Sequence, residues 1–96
     1  MSYLLFESNR KDKKYMIITP KFKVIHFGQR GADDFTTTND EKKKDLYLKR
    51  HVVRENWSDP NTAGFWSRFL LWHKKTLIES IADIEKRFGL RIESNI

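Results

Sequence analysis

Cysteine is absent from the 96 residues, which excludes disulfide staples, thiolate metal sites and cysteine nucleophiles together. The chain suits a reducing compartment. Proline occurs twice and glycine four times, and no repeat, low-complexity segment or linker interrupts the pattern. No stretch approaches the roughly 18 apolar residues of a spanning helix. The run Tyr3-Leu4-Leu5-Phe6 is far shorter than a signal peptide needs and has no basic lead. We therefore expect no targeting segment and no membrane contact. A chain this short fits one domain, a single small basic α+β unit over residues 1–96 that holds one core and leaves little for a deep pocket.

What is present is positive charge, aromatic side chains and strong local punctuation. The formal net charge is +6, unevenly spread: residues 10–54 hold 13 Lys and Arg against 6 Asp and Glu, whereas residues 55–96 hold 6 of each. A basic front half suggests an anionic partner, either nucleic acid or an acidic or phosphorylated protein surface. The plainer alternative is a solvated face that keeps the protein in solution.

Three segments rich in aromatic and β-branched residues read as strands: Tyr3 to Glu7, Tyr15 to Thr19 and Phe22 to Phe27. A polar loop, residues 8–13, and the Pro20-Lys21 turn join them into an antiparallel meander. The last two strands carry apolar groups on both faces, so one face is expected on the helices and the other on a partner or on the rest of the chain. Gly28-Gln29-Arg30-Gly31 ends the strand region, and its glycines suit positive φ.

Three helices follow. The first is expected from Asp40 to about Asn56, with Leu46, Val53 and Trp57 on its core side and Tyr47 and His51 beside them. Thr62 to about Trp72 forms a second, nearly all apolar and therefore buried. The third opens on the capping-box pattern Thr76-Leu77-Ile78-Glu79, keeps Leu77, Ile81, Ile84 and Phe88 on one stripe, and stops at Gly89. The fold class is thus α+β, an N-terminal three-stranded antiparallel meander packed against three C-terminal helices.

The best candidate site is the basic stripe of the first helix. Lys43, Arg50 and Arg54 fall at i, i+7 and i+11, with Lys42 and Lys49 on the adjacent row. Such a row can neutralise phosphates or meet acidic protein side chains; an amphipathic helix with an ordinary solvated face would look the same. Trp57, Phe65, Trp66, Phe69 and Trp72 could stack bases, but their helical spacing favours the core. His26, His51 and His73 lack metal-ligand spacing. Asp33-Asp34 is a carboxylate doublet without a third member, and Ser58 and Ser67 have no nucleophile-elbow context. We expect no catalysis, no cofactor, no metal and no small-molecule substrate.

Several words in order are distinctive: Phe27-Gly28, Asp34-Phe35-Thr36, Tyr47-x-x-Arg50-His51, Arg54-Glu55-Asn56-Trp57, Thr62-Ala63-Gly64-Phe65-Trp66-Ser67-Arg68, Leu70-Leu71-Trp72 and Arg87-Phe88. Across roughly residues 14–88 this resembles a family of small uncharacterised proteins encoded by nucleocytoplasmic large DNA viruses. The resemblance carries no catalytic motif. It implies a viral origin, a place in the virion and in the host cytoplasm before assembly, and a partner among larger viral structural proteins or viral nucleic acid. A minor capsid or cement-type role making protein–protein contacts is the expectation; nucleic-acid binding through the basic stripe is the alternative.

Overall fold

The computed structural model describes residues 2–96. Strands β1 (Tyr3–Glu7), β2 (Lys13–Ile18) and β3 (Val24–Gln29) form the expected antiparallel meander. Leu4 pairs with Ile18, Glu7 with Tyr15, Tyr15 with Phe27 and Ile18 with Val24. β2 begins two residues before the expected Tyr15, and β3 continues through Gly28 and Gln29. Gly28 and Gly31 both take positive φ, +75° and +87°.

The sheet is not purely antiparallel. A fourth strand, β4 (Ile92–Ser94), lies parallel to β1, pairing Tyr3 with Ile92 and Leu5 with Ser94, so the order is β3-β2-β1-β4. Three residues with one apolar member carry no periodic signal. They become a strand because β1 offers an open row of backbone groups: the Tyr3 N–H donates to the Arg91 carbonyl and the Asn95 N–H to the Leu5 carbonyl, each at 2.8 Å.

The helical half comprises a single turn α1 (Phe35–Thr38), α2 (Glu41–His51), α3 (Ala63–Trp66) continuing into a π-helical segment (Ser67–Leu71), and α4 (Leu77–Phe88). α1 falls where a loop was expected. Asp34 caps it, accepting from the Thr36 N–H while Thr37 Oγ1 accepts from the Asp34 N–H. Asn39, in the left-handed region, ends it. The π segment follows from the run Phe69-Leu70-Leu71, all buried. A wider turn brings consecutive side chains closer in direction, so three neighbours share one core. The Trp72 N–H closes it by donating to the Ser67 carbonyl at 3.1 Å.

Helices pack on one face of the sheet. Leu5, Ile17, Ile25 and Phe27 meet Phe65, Trp66, Phe69, Leu70, Leu71 and Ile84, with Ile92 of β4 joining them. The aromatic residues lie mainly in this core: Trp66 is fully buried, and Trp57 and Trp72 are half-buried at its margin. The opposite sheet face carries Leu4, Phe6, Met16, Ile18 and Val24, none of them part of the buried core.

Candidate functional site

α2 starts at Glu41 because the Asp40 carboxylate accepts from the Lys42 and Lys43 N–H groups, at 3.0 and 3.2 Å. Lys49, Arg50 and His51 occupy its last turn, where the helix dipole favours cations. The helix stops at His51, short of Asn56. There the Glu55 carboxylate turns the chain back, bonding His51 Nδ1 at 3.0 Å and accepting from Trp57 Nε1 at 2.8 Å. Gly64 makes room for it, since a Cβ at that position would lie 2.8 Å from the carboxylate.

The face turned inward differs from the expected one. Leu46 is 58% exposed and Val53 82%, while Tyr47 is buried and Lys44, Leu48 and His51 are half-buried beside it. Aromatic stacking decides the rotation. The Tyr47 ring lies flat against Trp72, 4.6 Å between centroids and 7° between planes, and against His51 at 4.3 Å. A buried aromatic ring removes more apolar area from water than Leu46 or Val53 could, and gains stacking besides.

All five cations named from the sequence are exposed, but they do not act as one row. Lys42 and Lys49 fall on the outward side with Leu46 and Val53. Lys43 reaches Asp33 at 3.4 Å, and Arg50 borders a cleft. Arg54 sits beyond the helix in the turn that follows it.

That cleft, of about 320 Å³, is the meeting point of the chain's polar features. Lys13 and Lys14 enter from β2, Gly28 and Gln29 from β3, Asp33 and Asp34 from the loop before α1, Tyr47 and Arg50 from α2, and Ser67, Leu71 and Trp72 from the π segment and its end. Both carboxylates are engaged: Asp34 caps α1 and pairs with Lys14, and Asp33 pairs with Lys43. Lys13 and Arg50 have no acidic partner within 4.0 Å among the described residues. Burial, helped by the nearby Glu55 charge, pushes the Tyr47 phenol well above its ordinary range against the opposing pull of Arg68 and Ser67. It therefore stays protonated and can donate. Excess donors beside an aromatic wall suit an anion.

A family model described as a family of unknown function, DUF5754, matches residues 4–51. The chain belongs to this family. No curated protein and no solved structure matches it. The matched half of this DUF5754 chain runs from β1 to the end of α2, so it contributes every cleft residue up to Arg50. Ser67, Leu71 and Trp72 lie beyond it.

The histidines are partnered in ways spacing alone did not indicate. His26 Nδ1 lies 2.7 Å from Ser8 Oγ, His51 meets Glu55, and the buried His73 places Nε2 at 2.6 Å from Asp83. Among the described residues no three His, Asp or Glu side chains gather as a metal site would require. Of the five named cations only Arg50 lines the cleft, and sequence reasoning missed Lys13, Gln29, Tyr47 and Trp72 as its neighbours. The aromatic pair had a faint signal, since Tyr47 and Trp72 are large residues each at the edge of an apolar stripe. Lys13 had none.

Proposed function

We propose that this chain is a non-enzymatic structural component of a large DNA virus particle, of minor capsid or cement type, docking on larger subunits through protein contacts. Phe22 carries the reading. It closes the β2–β3 turn with φ +67° and its ring is 84% exposed. A bulky side chain in left-handed backbone costs about 1–2 kcal/mol, and the exposed ring gains no burial within the chain to offset it. Strain that presents an aromatic group to solvent fits an anchor for a partner. The anchor borders a shallow hollow of about 300 Å³ lined by Leu4, Ile18 and Pro20, next to the apolar outer face of the sheet. A protein surface can use such a patch; a nucleic-acid duplex recognised through its phosphates cannot.

The test is Phe22→Gly. Stability should hold or rise by about 1 kcal/mol as the strain is relieved, while incorporation into particles purified from infected cells drops sharply. Unchanged incorporation would remove the reading. A second reading, nucleic-acid binding, draws on Lys42, Lys49, Arg50 and Arg54, which lack ion-pair partners among the described residues. It would replace the first if the protein bound duplex DNA with log affinity falling about three units or more per log unit of salt.

A further inference from the structure

The cleft offers a binding site independent of the docking face. We propose that it binds a phosphate monoester attached to a flat group, a mononucleotide being the ligand of matching size. Lys13 and Arg50 reach it from different elements, β2 and α2, and neither has a carboxylate partner. Gln29 and Tyr47 add neutral donors on the walls between them, with the Ser67 hydroxyl engaged by Tyr47. The two carboxylates at the rim are already held by Lys14 and Lys43, so what remains unpaired is donor capacity.

A tetrahedral dianion with three free oxygens uses such a set better than a planar carboxylate does. It can take a guanidinium fork, an ammonium and neutral donors from separate directions. The volume, about 320 Å³, lies at the lower end of small-ligand sites, roughly 300–1,000 Å³, and exceeds what a phosphate alone would fill. The remaining wall is apolar and aromatic: both faces of the Tyr47 ring are taken, by Trp72 and His51, so a planar substituent would lie against Trp72 and Leu71, which line the cleft. The expectation of no small-molecule ligand came from the lack of room for a deep pocket. A shallow cleft between the sheet end and α2 needs no such room.

Calorimetric titration of the full chain at low salt tests this with inorganic phosphate, ribose phosphate, adenosine monophosphate and adenosine. Adenosine monophosphate should bind about tenfold or more tightly than inorganic phosphate, and adenosine without its phosphate should not bind measurably. Arg50→Gln and Lys13→Gln should each weaken binding about tenfold, the loss expected for one charged hydrogen bond. Lys86→Gln, exposed on α4 and outside the cleft, should change it by less than about twofold. Adenosine binding as well as its monophosphate, or an equal loss with Lys86→Gln, would overturn the site. An oligonucleotide with and without a terminal phosphate monoester shows whether the group is free or strand-borne: preference for the phosphorylated end supports the site, and indifference to it counts against it. Circular dichroism confirms that each variant folds, and phosphorus NMR of the bound monoester provides a second readout. Particle incorporation is read separately, so either proposal can fail alone.

Discussion

At Gly28 two demands meet in one residue. Its φ of +75° is open to glycine and strained for any residue with a Cβ, and an added Cβ would lie 2.8 Å from Leu71 Cδ1 and 3.3 Å from Lys14 Cβ. Gly31, at φ +87°, has open space around it. Gly31→Ala should therefore cost about 1 kcal/mol, from backbone strain alone. Gly28→Ala should cost about 2–4 kcal/mol, with overpacking added. Urea unfolding of the pair measures the difference, and equal losses would mean that Leu71 does not press on β3. His73 sets a pH dependence. Burial holds its pKa below the ordinary 6.5 despite the Asp83 hydrogen bond, and Arg68 and Lys74 add to the depression. The unfolded chain then binds the proton more readily. Stability from this group is complete above about pH 6.5 and falls as pH drops toward the lower folded value. The melting temperature should decline on acidification from about pH 7 to pH 5, and His73→Gln should flatten that decline.

At the scale of elements, α4 follows its sequence signals most closely. The Glu79 N–H donates to Thr76 Oγ1 at 3.2 Å, and Gly89 closes the helix at φ +66°. The box is only half made, because the Glu79 carboxylate accepts a hydrogen bond from the Thr76 hydroxyl and not from the Thr76 N–H. α2 is the contrasting case. With Tyr47 inward and Leu46 and Val53 in solvent, Leu46→Ala and Val53→Ala should each change stability by about 0.5 kcal/mol or less, whereas Tyr47→Ala should cost about 3 kcal/mol. The reverse order in thermal melts would restore the face expected from periodicity. β4 rests on one side chain and its backbone ladder. Ile92 is 8% exposed, and its N–H donates to Glu85 Oε2 at 3.1 Å, tying the strand to α4. Ile92→Ala should cost about 2–4 kcal/mol.

Over the whole molecule, charge and apolar surface divide the work. Cations crowd α2 and the cleft, while the outer face of the sheet is apolar and ends at Phe22. Changing Lys43, Arg50 and Arg54 together to Gln should leave folding nearly intact, about 0.5 kcal/mol or less per site; the Lys43–Asp33 pair is exposed and contributes little. If DNA is the partner, the salt slope of binding should fall by two to three units, roughly 0.9 per lost phosphate contact. With a protein subunit as partner, duplex affinity starts weak and hardly moves. Salt titration of duplex binding, wild type against triple variant, separates the two.

Strand and helix positions were legible wherever the signal was local: aromatic and β-branched runs for β1 to β3, a threonine and a glycine at the ends of α4, an apolar run for α3 and its extension. Pairings between distant segments were not. Leu46 and Tyr47 are adjacent and both apolar enough to face a core; the choice between them was made by Trp72, far along the chain, whose ring offers Tyr47 a stacking partner. Ile92 becomes part of a strand because β1 has backbone groups to satisfy, and no property of residues 92–94 announces that. Lys13 and Arg50 share a cleft because the sheet register and the packing of α2 bring them there. Sequence by itself determined β1 to β3, α4 and the apolar run of α3, since caps, turns and periodicity act between neighbours. Tertiary structure decided which faces they bury and which charges they leave unpaired, because those depend on contacts that exist only once the chain has closed on itself.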